Sequence, residues 1–175
     1  DEMQQFGLRI RNEKIPNSLD TSIFPPVGLA EKKLLKEKFN FRNQTILYSG
    51  RLAPEKHIDV ILQALPYVLS RFPNSDLVIT GRGIEENRLK QLSVQLGIEK
   101  NVHFLGFIED AVLPQIFQAS NLFVIMSTAE SQSISLMQAM CSGLPSIGAN
   151  SRALPEYITK ECGSLTEPGN SAKLA

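Results

Sequence analysis

The sequence predicts an α/β fold, a parallel sheet sandwiched by helices, and three observations carry that expectation. Short apolar runs, Ile46-Leu47-Tyr48, Leu77-Val78-Ile79 and Leu122-Phe123-Val124-Ile125-Met126, each end in small or glycine residues. Such runs suit strands buried on both faces. Between them lie segments with apolar residues three and four apart, the spacing of a helix that faces a sheet. The two patterns alternate with no internal repeat, which is the signature of strand–helix–strand crossovers and a parallel sheet.

The elements follow in order. Residues 1–13 are polar and weakly patterned and read as a linker or N-terminal extension, leaving 14–175 as one domain, long enough for a real core. Ala30 to Phe39 forms a short charged helix, and Ile46 to Gly50 a strand ending in a turn. Ile58, Ile61, Leu62, Leu65, Val68 and Leu69 define a helix from Ile58 to Phe72, with Pro66 expected to remove one hydrogen bond and kink it. Leu77 to Thr80 is the next strand; Arg88 to Leu96 is helical with Gly97 as its C-cap. Val102 to Gly106 is a strand, Val112 to Ala119 a helix, and Leu122 to Met126 a strand. Ile134, Met137, Met140 and Cys141 mark another helix, Leu144 to Ile147 a strand, Pro155 to Lys160 a short helix, and Gly163 to Leu165 a last strand. A further helix starts near Ser171, so the chain reads as cut short at that end.

Bulk properties narrow the function. Hydrophobic residues make up 42% and charged residues 21%, an ordinary globular composition. Lys and Arg number 18, as do Asp and Glu, so there is no global basic field and nucleic acid is not the expected partner. A local cationic pocket for a phosphate remains open. The two cysteines, Cys141 and Cys162, lack metal-type spacing, which points to a reducing compartment and no structural metal. No apolar run reaches transmembrane length, and no signal peptide is visible.

Two segments carry chemistry. Ser127 to Pro145 follows a strand, turns through small polar residues, and becomes a helix, an arrangement that points backbone N–H groups and a positive helix end at an anion. Glu130 sits in its turn and Gln138 one turn inside its helix. Upstream, Gly50-Arg51-Leu52-Ala53-Pro54-Glu55-Lys56 follows the first strand of the sheet. Arg can hold phosphate oxygens bidentately and Lys acts as a point charge. The competing reading of Arg51 is a solvated side chain paired with Glu55. Gly81-Arg82-Gly83 is a lone Gly-x-Gly after a strand; with no third glycine it is no dinucleotide fingerprint. Neither His57 nor His103 has a metal-type or triad-type neighbour in sequence; His57 reads as a polar cap and His103 as structural.

Together the two segments resemble the signature of the family 4 glycosyltransferases: a Gly-Arg-Leu-x-x-Glu-Lys motif, then two acidic positions eight apart before a Gly-Pro-type segment. Here Glu130 holds the first acidic position and Gln138 the second, ahead of Ser142-Gly143-Leu144-Pro145. The resemblance runs from about Lys14 to the C-terminus. It implies one half of a GT-B architecture, a Rossmann-like domain that binds a nucleoside-diphosphate sugar. Arg51, Lys56 and Glu130 then carry the catalytic roles, the cations on the departing diphosphate and Glu130 on hydroxyls of the sugar. Gly50, Ser131, Gln132, Ser133, Ile134 and Gln138 join the donor site; Gly106 and Phe107, at the end of another strand, either frame the nucleobase or form a strand-ending turn with Phe107 in the core. The resemblance further implies retention of anomeric configuration, no metal and no cofactor beyond the donor substrate. It places the acceptor, a lipid or polysaccharide, on an absent N-terminal domain, with membrane contact only through that half, in a cytoplasmic protein. Gln138 departs from the pattern, since a neutral amide accepts ribose hydroxyls more weakly than a carboxylate. Two rivals stand beside transfer: a non-catalytic nucleotide-sugar-binding module, and a sugar-nucleotide epimerase of the same architecture.

Overall fold

The computed structural model describes residues 17–175 together with Gly7 and Ile15. The expected linker at 1–13 therefore lies outside the described residues apart from Gly7. Among the described residues six strands and seven α-helices alternate: α1 (Leu29–Phe39), β1 (Gln44–Ser49), α2 (Ile58–Arg71), β2 (Ser75–Thr80), α3 (Glu86–Gln95), β3 (Val102–Gly106), α4 (Leu113–Ala119), β4 (Leu122–Ile125), α5 (Ile134–Cys141), β5 (Ser146–Ala149), α6 (Leu154–Tyr157), β6 (Gly163–Thr166) and α7 (Ser171–Leu174). Every strand pair is parallel, in the order β3-β2-β1-β4-β5-β6. This is the doubly wound Rossmann-like order, and the parallel-sheet expectation holds. The helices form two layers, with α2 packed on α3 and α7, and α4 packed on α1 and α5.

The apolar runs occupy the positions their burial demands. Every residue of β2 is buried, and Leu47, Leu77, Val78, Ile79, Phe123 and Met126 are fully enclosed. On α2 the buried face is Ile58, Ile61, Leu62 and Leu65, and the helix continues through Pro66 to Arg71. Gly97, at φ +68°, takes the left-handed position just past α3. Phe24 meets Phe117 of α4 edge-on, centroids 5.5 Å apart, and Gln118 Nε2 donates to the Pro25 carbonyl at 3.0 Å. The segment ahead of α1 is thus docked on the domain.

Element boundaries shift for local reasons. Leu144 and Pro145 do not open β5. Pro145 has no N–H for the ladder; its carbonyl accepts from Phe123 N–H at 3.0 Å, and the strand begins at Ser146. The helix expected at Pro155–Lys160 is Leu154–Tyr157, because Ile158 is extended and buried in the core.

Candidate functional site

The strand order reverses direction beside β1, where the chain's first crossovers run one way and its later ones the other. Open α/β sheets bind ligands outside the carboxyl ends at such a point. There, between β1 and β4, lies a cleft of about 390 Å³ lined by Tyr48, Ser49, Gly50, Arg51, Lys56, Ile125, Glu130, Gln132, Ser133, Ile134, Ser135 and Gln138. Eight of the eleven site residues expected from sequence and resemblance line it, Gly50, Arg51, Lys56, Glu130, Gln132, Ser133, Ile134 and Gln138, while Ser131 stands outside the lining. Gly106 and Phe107 sit apart at the end of β3, an outer strand two places from β1, with Phe107 exposed.

The loop after β1 is built by close backbone approach. Gly50 N–H donates to Thr80 O at 3.2 Å, and Leu52 N–H to Arg82 O at 3.0 Å. A β-carbon on Gly81 would stand 2.0 Å from Gly50 O, and one on Gly83 would stand 2.0 Å from Leu52 O. The Gly-x-Gly after β2 therefore serves the fit of two loops, which explains its presence without a dinucleotide. Past Arg51, a 3₁₀ turn (Pro54–Lys56) leads to His57 at φ +47°, a left-handed residue despite its side chain.

The two loops are stitched together. Thr128 N–H donates to Glu55 O at 3.2 Å, His57 Nε2 lies 3.1 Å from Thr128 Oγ1, and Lys56 Nζ lies 2.6 Å from Glu130 Oε1. The Lys56–Glu130 pair is mostly shielded, with side-chain exposures of 16% and 11%. Sequence reasoning assigned these two charges to separate parts of a ligand and missed that they hold each other. Arg51 is paired at 2.8 Å with Glu55, as its competing reading had it, yet stays 70% exposed. Its own backbone N–H, then Arg51 and Lys56, hold the Glu55 carboxyl below its usual pKa.

On the opposite wall, Ser133 caps α5: its Oγ accepts from Leu136 N–H at 3.3 Å. That satisfies one of the orphan donors of the first turn. Ile134 and Ser135 belong to the same turn, at the positive end of the helix, and line the cleft. Ser135 and Tyr48 were missed from sequence. Tyr48 sat inside an apolar strand pattern, and only its phenol oxygen could have hinted at a polar task. Gln132, expected on a ligand, has its side-chain oxygen 2.7 Å from Asn17 N and receives that N–H. Among the described residues no cluster of three or more His, Cys, Asp or Glu side chains is arranged for a metal. None of the described helices is long and apolar enough to cross a membrane.

Cations and the first turn of α5 gather around one carboxylate at the switch point of a doubly wound sheet, the place where open α/β domains bind ligands. A sequence profile of the Glycosyl transferases group 1 family matches residues 31–175, and the chain belongs to that family. A GDP-mannose-dependent monoacylated alpha-(1-6)-phosphatidylinositol monomannoside mannosyltransferase of Corynebacterium glutamicum is 28% identical over 179 residues, 97% of this chain and 46% of that protein. Anabaena HepE in complex with UDP-glucose superposes with a TM-score of 0.80 at 28% identity, over 91% of this chain and 44% of that one. The C-terminal domain of the glycosyl transferase group 1 protein LpcC from Francisella tularensis does so at 0.79 and 25% identity, over 90% of this chain and 84% of that one. The chain spans between about a third and a half of the length of the first curated relatives, 34–46%.

Proposed function

We propose that residues 14–175 are the donor-binding half of a retaining glycosyltransferase that moves a sugar from a nucleoside-diphosphate sugar to an acceptor. The observation that carries the reading is the convergence of Arg51, Lys56, Glu130 and the first turn of α5 on one cleft. As the glycosidic bond breaks, negative charge grows on the diphosphate. Preorganised cations and N–H groups stabilise that charge more than the ground state, which is what accelerates the step. Arg51 swings from Glu55 to the phosphates, and Lys56 bridges them to Glu130. Glu130 accepts hydrogen bonds from the sugar's hydroxyls. Gln138 faces the ribose, and the loop at Gly106-Phe107 borders the base. Diphosphate binding uses these groups without a metal or cofactor. The acceptor sits on a preceding domain; the relative that acts on a phosphatidylinositol mannoside supports a lipid acceptor, met by a cytoplasmic protein at the membrane face.

Calorimetric titration with UDP, GDP and ADP, each with and without EDTA, tests this. Binding of at least one, unchanged by the chelator, is expected. No binding, or binding abolished by EDTA, overturns the site assignment. A binding-only module is favoured by one observation, Gln138 where the family pattern has an acid. Sugar transfer by the protein with its acceptor half, lost in Arg51→Ala, excludes that second reading.

A further inference from the structure

Arg51 works from a loop, and a loop cation is useful only if its backbone is held. The Arg51–Leu52 peptide is pinned at both ends. Its N–H side, at Leu52, donates to Arg82 O at 3.0 Å; its C=O side, at Arg51, accepts from the Tyr48 phenol at 2.9 Å. The preceding residue is tied as well, by Gly50 N–H to Thr80 O at 3.2 Å. Tyr48 is 1% exposed and forms part of the cleft's floor. A β-carbon on Gly50 would stand 3.1 Å from the phenol oxygen, so the glycine leaves the space in which that hydroxyl reaches the Arg51 carbonyl. Leu52, also 1% exposed, anchors the far side in the core. With the peptide plane fixed, the guanidinium searches only its side-chain rotamers, and its base stays at the cleft rim.

We propose that Tyr48 is the positioning residue for Arg51: its hydroxyl fixes the Arg51–Leu52 peptide so that the guanidinium meets the diphosphate of a bound nucleotide. This rests on the diphosphate-binding reading of the cleft. The phenol donates and never leaves. Burial first, then the charges of Glu130 and Glu55, push its pKa well above the ordinary tyrosine value, so it stays protonated in this role throughout the working pH range.

A double-mutant cycle tests the proposal, with Tyr48→Phe, Arg51→Ala and both together, each titrated with a nucleoside diphosphate and with the bare nucleoside. Tyr48→Phe keeps the ring volume and removes one oxygen, and circular dichroism confirms the fold of each variant at the titration temperature. The expected result is a diphosphate affinity about fivefold weaker in Tyr48→Phe, an unchanged nucleoside affinity, and less than a twofold further loss when Tyr48→Phe is added to Arg51→Ala. Equal weakening of both ligands, or the same loss with and without Arg51, means that Tyr48 only supports the fold and overturns the proposal. So does an unchanged Tyr48→Phe beside a weakened Arg51→Ala, which leaves the cleft reading intact. If Arg51→Ala itself binds diphosphate normally, the cleft reading falls and this inference falls with it.

Discussion

At the amino ends of the strands, the Lys36 ammonium is enclosed by four acceptors: Arg42 O at 3.0 Å, Asn43 O at 2.9 Å, Thr45 Oγ1 at 2.8 Å and Asn121 Oδ1 at 2.6 Å. Nearby, Asp76 is fully buried, takes the Arg42 N–H at 2.8 Å, and lies 3.4 Å from Arg42 Nε and 3.1 Å from His103 Nε2. At the carboxyl ends, Arg51 is exposed, Lys56 is paired with Glu130, and the first turn of α5 lines a cleft. Both ends hold charge, but at the amino end the Lys36 ammonium is held by four groups of the chain itself, with only Asp76 Oδ1 and His103 Nε2 buried without a hydrogen bond among the described residues, whereas at the carboxyl end the Arg51 charge stands exposed beside a cleft. A buried charge satisfied within the fold serves stability and register; one left with spare valence beside a cleft is available to a ligand.

The largest effect expected of that contrast is at Lys36. Lys36→Ala strands four acceptors and should lower the unfolding free energy by about 3 kcal/mol while leaving nucleotide affinity unchanged. Chemical denaturation together with calorimetric titration measures both, and a large loss of affinity would erase the distinction between the two ends.

Titration of the same ammonium sharpens it. Burial, aided by the neighbouring Lys32 charge, pushes the Lys36 pKa down to about 8, against 10.5 for the free side chain. Between those values the unfolded chain binds the extra proton, so stability rises as pH increases through that window. The unfolding free energy of the parent minus that of Lys36→Met should therefore grow from pH 8 to 10.5, by at most about 3 kcal/mol. A difference that is flat or shrinks with pH would show the ammonium to be better solvated than its enclosure implies.

At the carboxyl end, Lys56→Ala should weaken diphosphate binding by about 1.5–3 kcal/mol, and Arg51→Ala by a similar amount. Their melting behaviour should differ. Arg51 is exposed, so its loss leaves the melting temperature near the parent's, whereas loss of Lys56 leaves Glu130 shielded and unpaired and lowers it. Equal melting temperatures would mean that the Lys56–Glu130 pair is no more than a surface contact.

The smallest effect belongs to Gln138. If it faces ribose, Gln138→Glu should tighten a ribonucleotide by about 1 kcal/mol and its 2′-deoxy analogue by less, because one hydroxyl is gone. Titrating both ligands decides it; identical small responses would remove Gln138 from the ribose.

What the sequence determined by itself is the alternation of strands and helices and the identity of two loops that carry chemistry. These are local properties. Apolar spacing reports burial on one face or two, and a serine after a strand can cap the next helix wherever the strand lies. Hence β3 matched its expected bounds and the other elements fell within a few residues, with Pro145 delaying β5 only because the ladder needs an N–H it lacks. The partners of the charged side chains were decided by tertiary structure alone. Lys56 and Glu130 are 74 residues apart, and Asn17 and Gln132 are 115. No local pattern encodes a contact at that range. It arises when β1 and β4 become neighbours at the centre of the sheet and their loops share one end of it. Tyr48 was hidden for the same reason: along the strand it reads as another core aromatic, and only the folded loop brings the Arg51 carbonyl to its hydroxyl.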